Sequence, residues 1–142
     1  MKISDVLRTK GTDVVTVSPD QSVEELLALL AEHHIGAVVV SSDGESVDGI
    51  VSERDIVRQL HAEGPQIVSA PVSQIMTKEV RTVGPNDGIA ELAVTMTEHR
   101  FRHVPVVKDG RLVAIVSIGD VVKHRLRTLS AERDQLEAYI TQ

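Results

Sequence analysis

The sequence contains no cysteine, only two aromatic residues and no long apolar run. Without cysteine there is no disulfide framework, no thiolate metal site and no thiol nucleophile. No apolar segment approaches the roughly 20 residues that a membrane-spanning helix needs, and residues 1–11 lack the continuous apolar core of a secretion signal. We therefore expect a cytoplasmic protein without a membrane partner.

Basic residues are also in the minority, with 15 Lys and Arg against 21 Asp and Glu and a net charge of −6. Nucleic-acid-binding proteins usually present a basic face, and single-strand binders add stacking aromatic residues. Neither feature is present, so we expect no nucleic-acid partner. Two local basic clusters, "EHRFRHVPV" and "VVKHRLR", remain and can neutralise a small anion.

The chain is an internal duplication. Residues 14–60 align with residues 80–126, with one residue dropped from the turn after Gly44, and the lead-in "ISDVL" (3–7) matches "VSQIM" (72–76). A unit of this size is marginal alone because it buries too little of its surface, so the two units should pack together. We divide the chain into repeat 1 (1–66), repeat 2 (67–127) and a C-terminal helical tail (128–142).

Each repeat follows the order strand, helix, strand, hairpin, strand, helix. The patterns predict first strands at 14–17 and 80–83, and Asp-Gly pairs mark the hairpins. The first crossover must be parallel and right-handed, whereas the hairpin pair is antiparallel. Ser22 or Asp20 should cap the first long helix, and Asn86 or Asp87 its counterpart. The sequence thus predicts a mixed α/β fold with two small sheets.

One motif occurs at the same place in both repeats. "GIVSERD" (49–55) and "AIVSIGD" (114–120) place Ser where a strand ends and Asp three residues later. The first amides of a helix attract phosphate, and a carboxylate there can accept two hydrogen bonds from a ribose diol. Ser-x-x-acid is also a helix capping box. Both interpretations stand, and they are compatible.

These residues, together with "TVSP…HHIGAVVV" and "TVGP…FRHVPVV", give a chain that strongly resembles a tandem pair of cystathionine β-synthase-type (CBS) domains. The resemblance implies an α/β (mixed α+β) fold of two β-α-β-β-α repeats, packed through their sheets with pseudo-two-fold symmetry. It implies a regulatory module, without catalytic activity or catalytic cofactor, that binds AMP, ADP, ATP, and in some members NAD or S-adenosylmethionine. It also implies a homodimer and a target protein in trans. A ligand-free dimeric scaffold for protein–protein contact is the alternative.

The resemblance also implies two ligand sites, each between the repeats. Site A consists of Ile50, Ser52, Arg54, Asp55, Val80, Arg81, Thr82, Arg102 and His103. Site B consists of Val14, Val15, Thr16, Ile35, Gly36, Ile115, Ser117 and Asp120. The apolar members can equally be plain core residues. Since Arg102 aligns with Gly36, we expect site A to hold phosphate more strongly than site B.

The remaining features point to no chemistry of their own. The histidines near helix ends are explained as dipole-favoured caps, so we expect no metal site, and no catalytic motif is present. In the tail, Leu129, Leu136 and Tyr139 or Ile140 fall on one helical stripe. This stripe either docks on its own chain or contacts a partner subunit, and either would bury Tyr139.

Overall fold

The order of helices and strands follows the duplication. The computed structural model describes residues 1–11 and 13–141; Thr12, in the predicted repeat 1, and Gln142, the end of the predicted tail, lie outside the described residues. The elements are α1 (Ile3–Lys10), β1 (Thr16–Val17), α2 (Val23–His33), β2 (Ala37–Val40), β3 (Gly49–Ser52), α3 (Glu53–Glu63), α4 (Ile89–His99), β4 (His103–Lys108), β5 (Arg111–Ser117) and α5 (Ile118–Thr141). Two 3-10 turns, Pro65–Ser69 and Val72–Gln74, connect the repeats. The predicted fold class, mixed α/β with two small sheets, is confirmed.

The first sheet has three strands in the order β1-β2-β3. β1 is parallel to β2, with Thr16 opposite Val39, and β2 is antiparallel to β3, with Val38 opposite Val51. This arrangement agrees with the predicted crossover and hairpin. Every residue of β2 is buried, which explains why that segment is continuously apolar. β1 is shorter than the predicted strand at 14–17, since only its last two residues join the ladder.

The second sheet contains only β4 and β5, paired antiparallel. The strand predicted at 80–83 is therefore wrong; a single parallel bridge joins Val83 to Val106. Val83 donates its N–H to Pro105 O at 3.0 Å and accepts from Val107 N–H at 2.8 Å. Extending the ladder to Arg81 would require an N–H from residue 105, and proline has none. The aligned residue in repeat 1, Val39, keeps its N–H.

Each repeat contributes its lead-in to the hydrophobic core of the other. The core of repeat 2, built on Ile89, Leu92 and Val116, also contains Ile3, Val6 and Leu7 from α1. The core of repeat 1, built on Val23, Leu26 and Val51, contains Val72 and Ile75. Each hydrophobic core therefore contains residues from both repeats.

The same backbone hydrogen bonds fix both lead-ins. Ile3 and Ser4 donate to Asp87 O and Pro85 O at 2.9 and 2.8 Å. In the other half, Val72 and Ser73 donate to Gln21 O and Pro19 O at 2.7 and 3.0 Å. Because the acceptors precede α4 and α2 in the same way, the exchange is symmetric. It holds the repeats together by hydrogen bonds as well as by burial.

The last helix, α5, continues without a break from repeat 2 into the predicted tail. Its first turn buries Val121, but Leu136, Tyr139 and Ile140 are 63%, 78% and 78% exposed. The possibility that this stripe docks on its own chain is therefore wrong. The rest of the described chain thus leaves these three side chains uncovered. Contact with a partner subunit stays a prediction.

The helix caps agree with the sequence in the first repeat and differ in the second. Ser22 caps α2, accepting from Glu25 N–H at 3.1 Å. α4 instead begins after Gly88 without a side-chain cap, so the prediction of Asn86 or Asp87 is wrong. The Asp87 carboxylate accepts from Gly84 N–H at 2.7 Å, which closes the preceding turn. Across residues 1–11 and 13–141, no helix is both long and apolar enough to cross a membrane.

Candidate functional site

A cavity of about 480 Å³, which we call cavity A, opens between the two repeats. Three segments line it: the β2–β3–α3 region, the connection after the second lead-in, and the turn between α4 and β4. Its lining residues are Gly36, Ala37, Ile50, Ser52, Glu53, Arg54, Asp55, Arg58, Thr77, Glu79, Val80, Arg81, His99, Arg100, Phe101, Arg102 and His103. The strand end that carries the Ser-x-x-Asp motif of repeat 1 thus faces residues of repeat 2.

Cavity A brings together most of the residues predicted for site A. Eight of them line it: Ile50, Ser52, Arg54, Asp55, Val80, Arg81, Arg102 and His103. Thr82 does not line it, and Gly36, which was assigned to site B, does. Sequence reasoning missed Phe101, although it is the chain's only phenylalanine and lies within one of the basic clusters. It also left out Arg58, Arg100 and the connection around Thr77.

The carboxylate of Asp55 is both a helix cap and a free acceptor. Its Oδ2 accepts from Ser52 N–H at 2.9 Å and from Ser52 Oγ at 3.0 Å, and Asp55 N–H donates to Ser52 Oγ at 3.3 Å. This is the reciprocal capping box. Oδ1 accepts no hydrogen bond from the described residues and lies on the half-buried side chain that lines the cavity. The cap orients the carboxylate, while Oδ1 remains available to a ligand.

Cavity A is rich in positive charge although the chain is acidic. Five arginines line it, namely Arg54, Arg58, Arg81, Arg100 and Arg102, against the three carboxylates of Glu53, Asp55 and Glu79. Within the described part of the chain, none of these arginines lies within 4.0 Å of a carboxylate oxygen. Guanidinium groups without a carboxylate partner are suited to bidentate contacts with phosphate. The arrangement therefore favours an anionic ligand.

The wall opposite Asp55 offers backbone groups and an aromatic face. Neither Val80 nor Arg81 makes a backbone–backbone hydrogen bond to any described residue. For the Arg81 carbonyl this follows from the missing N–H of Pro105. Phe101 stacks on His99, with ring centroids 6.2 Å apart and planes 18° apart. Aliphatic and aromatic surface with a few unpaired polar groups is typical of a small-molecule pocket. The wall can accept a flat heterocycle and read its edge.

The edge of cavity A is closed by the connection after the second lead-in. Ile50 and Thr77 exchange backbone hydrogen bonds of 3.0 and 2.9 Å, so residue 77 extends the edge of β3. Gly49 permits this approach, because a Cβ at that position would lie 2.9 Å from Thr77 O and 2.7 Å from Met76 Sδ. In repeat 2 the aligned residue is Ala114. The backbone closure around Gly49 is thus particular to repeat 1.

The corresponding place in repeat 2 is occupied by the chain itself. Ile115, Ser117 and Asp120 lie together as predicted for site B, since Ser117 N–H donates to Asp120 Oδ2 at 2.8 Å. Lys10 Nζ donates to both Ile115 O and Asp120 Oδ2, each at 2.5 Å. Burial alone would raise the pKa of Asp120, but the hydrogen bonds from Lys10 and Ser117, with the charge of Lys10, hold this pKa below its ordinary value.

The other predicted members of site B do not line the cavity that contains Asp120. Asp120 lines a small cavity of about 190 Å³ with Val6, Thr9, Lys10, Lys123, His124 and Arg127. Val14 packs against the core of repeat 2, while Val15 and Ile35 pack against that of repeat 1. Thr16 begins β1. None of these four lines the small cavity, whereas eight of the nine residues predicted for site A line cavity A.

His103 lies between the two sites. It lines cavity A, and burial lowers its pKa below the ordinary value. The positive charges of Lys10 and Arg102 lower this pKa further, against the opposing effect of Asp120 and Glu53. Burial and the two nearby cations therefore favour the neutral imidazole. As for metals, no three His, Asp or Glu side chains converge as an ion site anywhere in residues 1–11 and 13–141.

Comparison with known proteins identifies the repeats. The family model for the CBS domain matches the chain twice, over residues 3–62 and 72–127. The chain belongs to the CBS-domain family. The two matches coincide with the duplicated segments and their lead-ins. Pairs of CBS domains are commonly regulatory ligand-binding modules rather than catalysts.

A solved structure and a curated relative, both CBS-domain-containing proteins, match most of this chain. The CBS-domain-containing protein ATU1752 from Agrobacterium tumefaciens is 48% identical, with a TM-score of 0.84 over 88% of this chain and 99% of that one. CBSX3 from Arabidopsis thaliana, named as a mitochondrial CBS domain-containing protein, is 36% identical over 97% of this chain and 71% of its own length.

A more distant structure shares the fold and contains ligands. The CBS domain pair of protein MJ0100, solved in complex with 5′-methylthioadenosine and S-adenosyl-L-methionine, has a TM-score of 0.78 and covers 90% of this chain and 98% of that one. It is 24% identical to this chain. At that identity the likeness concerns the fold.

Proposed function

We propose that this CBS pair is a regulatory module that binds an adenosine-containing nucleotide in cavity A. The observation that carries the proposal lies in one cavity: among the described residues, Asp55 Oδ1 accepts no hydrogen bond and the five arginines have no carboxylate partner. Asp55 would accept the ribose hydroxyls, and the arginines would hold the phosphate. The base would lie against the wall formed by Val80, Arg81 and Phe101. MJ0100, which shares this fold, was solved with two adenosine-containing ligands.

The choice among AMP, ADP, ATP, NAD and S-adenosylmethionine is testable by thermal unfolding. A ligand at 100 times its Kd stabilises the folded state by about 2.7 kcal/mol. We expect a concentration-dependent rise in Tm with the phosphate-bearing ligands and a smaller one with S-adenosylmethionine, which has no phosphate for the arginines. A panel without any rise would favour the alternative, a ligand-free scaffold.

The site assignment is tested by Asp55→Ala. A hydrogen bond to a charged group contributes about 1.5–3 kcal/mol, so we expect AMP binding to weaken roughly ten- to a hundredfold by titration calorimetry. Because the substitution also removes half of the capping box, stability must be measured in parallel. Ser22→Ala is the matched control, since Ser22 caps α2 outside cavity A. It should lose stability and keep AMP affinity; an equal loss of affinity in both variants would contradict the assignment.

We also propose a homodimer through α5. Val122, Leu126, Leu129, Arg133, Leu136 and Ile140 alternate spacings of four and three, which is the heptad seam of a coiled coil. The four leucine and isoleucine side chains at these positions are 51–78% exposed. Leu136→Asp should convert a dimer into a monomer in light scattering coupled to size exclusion. A dimer that survives this change would exclude α5 as the interface.

The position of cavity A between the repeats suggests how ligand binding would be transmitted to a target protein. A ligand shifts an equilibrium only by its differential affinity for two states, and both repeats contribute lining residues, so binding would bias their relative arrangement. The effect would be read by a target protein in trans. The proposed module has no catalytic activity, and chromatographic detection of a product from ATP or NAD would contradict this. The cytoplasmic location stays a prediction.

A further inference from the structure

Lys10 is the last residue of α1, and its side chain reaches the strand–helix junction of repeat 2. There its ammonium group bridges Ile115 O and Asp120 Oδ2 at 2.5 Å each. The side chains of Lys10 and Asp120 are only 30% and 18% exposed. Lys10 thus bonds the very carboxylate that corresponds to Asp55 of site A.

Site A has no such internal cation. Among the described residues, no Lys, Arg or His nitrogen lies within 4.0 Å of the Asp55 carboxylate. Ile50 O, the counterpart of Ile115 O, accepts instead from Thr77 N–H at 2.9 Å. Counting on from the matched lead-ins, Lys10 corresponds to Glu79, which lines cavity A. The two sites therefore differ by a reversal of charge at one position.

From this geometry we propose that Lys10 is an internal occupant of site B, taking the place of a ligand's sugar on Asp120. The proposal rests on the proposed function, in which these aspartates hold ribose hydroxyls. Lys10 then makes the two sites unequal. While the Lys10–Asp120 ion pair is intact, cavity A binds nucleotide and site B does not.

The ion pair is held from both sides, which is why a ligand does not displace it easily. On one side, α1 is anchored because Ile3, Val6 and Leu7 are buried in the core of repeat 2. On the other, Asp120 is fixed by Ser117 through the capping bonds of α5. Lys10 adds an ion pair to its hydrogen bond with Asp120 and also bonds Ile115 O, whereas a neutral diol offers the carboxylate hydrogen bonds alone. Lys123 and Arg127 line the same small cavity, so an anionic ligand would find cations there once Lys10 withdraws.

The test is the number of AMP molecules bound per chain in titration calorimetry of the full chain. We expect one for the wild type and two for Lys10→Met, which keeps the aliphatic stem and removes the ammonium. The second site should gain at least roughly tenfold in affinity, since a bond of this kind contributes a factor of ten or more. Adding Asp120→Asn to Lys10→Met should return the count to one.

Two further variants separate charge from structure. Lys10→Arg retains a cation and should keep the count at one, whereas a general loosening of α1 would raise it. If Lys10→Met does not fold by circular dichroism, Lys10→Gln, which is neutral and of similar length, carries the same test.

The outcomes distinguish this proposal from the proposed function. One AMP in both wild type and Lys10→Met, abolished by Asp55→Asn, overturns the role of Lys10 and leaves the proposed function intact. No AMP in the wild type but one in Lys10→Met, abolished by Asp120→Asn, supports the role of Lys10 and overturns the assignment of cavity A. No binding to any variant overturns both.

Discussion

A methyl group at position 49 tests how tightly the connection after the second lead-in closes cavity A. A Cβ on Gly49 would lie 2.7 Å from Met76 Sδ and 2.9 Å from Thr77 O. The Met76 side chain can rotate away. The carbonyl cannot move freely, because residue 77 is fixed by its two backbone hydrogen bonds to Ile50. Gly49→Ala must therefore displace a paired backbone segment.

The magnitude follows from these contacts. Overpacking of this kind typically costs about 1–3 kcal/mol, and each weakened backbone hydrogen bond about 0.5–1.5 kcal/mol. Replacing Gly by Ala returns about 0.4–1 kcal/mol by restricting the unfolded chain. We expect the free energy of unfolding to fall by roughly 1–3 kcal/mol. AMP binding should weaken as well, since Thr77 lines cavity A.

Urea unfolding followed by circular dichroism, with calorimetry of AMP binding, measures both effects. Gly119→Ala is the control: it makes the same chemical change in the first turn of α5, where the nearest atom to a new Cβ is Ser117 Oγ at 3.5 Å. It should be neutral or stabilising by up to about 1 kcal/mol. A Gly49→Ala protein with wild-type stability and affinity would refute the reasoning that this glycine is required for the close approach.

Three further predictions concern stability. Because the pKa of His103 is lowered in the folded protein, the unfolded chain takes up the proton first, and stability should decrease as pH falls below about 6.5; urea midpoints for His103→Gln should lose part of this pH dependence. His34 caps α2 in the left-handed conformation, with φ of 53°, so His34→Gly should raise the unfolding free energy by about 0.5–1 kcal/mol, whereas His33→Gly, inside the helix, should lower it similarly. Leu26→Ala, at a fully buried position, should cost about 3–5 kcal/mol in urea unfolding, and a loss under 1 kcal/mol would contradict the core assignment.

The sequence was sufficient to predict the features of the fold that depend on local patterns and on the duplication. The fold class, the cap by Ser22 and the start of α3 at the Ser52 motif follow from periodicity and capping chemistry. Arg102 and Asp55 could be placed in one cavity because the resemblance to CBS pairs implies a site between the two repeats. The fold and the caps needed only the order of elements and local capping patterns, whereas the grouping of site A needed the family resemblance.

The sequence predictions differ from the structure where long-range contacts leave no pattern in the local sequence. Lys10 and Asp120 are 110 positions apart, and nothing near either residue indicates an ion pair. The missing strand at 80–83 depends on Pro105, which removes a donor from a neighbouring strand rather than from its own segment. The exposed stripe of α5 could not be assigned because its apolar pattern is the same whether it faces its own domain or a second chain.

Because each lead-in is buried in the other repeat, the two repeats depend on each other for folding. Deletion of the first ten residues should destabilise repeat 2 more than repeat 1. The reason is that Ile3, Val6 and Leu7 are part of the core of repeat 2. Rotation of one repeat would also have to move the lead-in of the other repeat, which is hydrogen-bonded to it. The two lead-ins therefore couple the repeats in both directions, and we expect a change in the position of one repeat to displace a segment buried in the other.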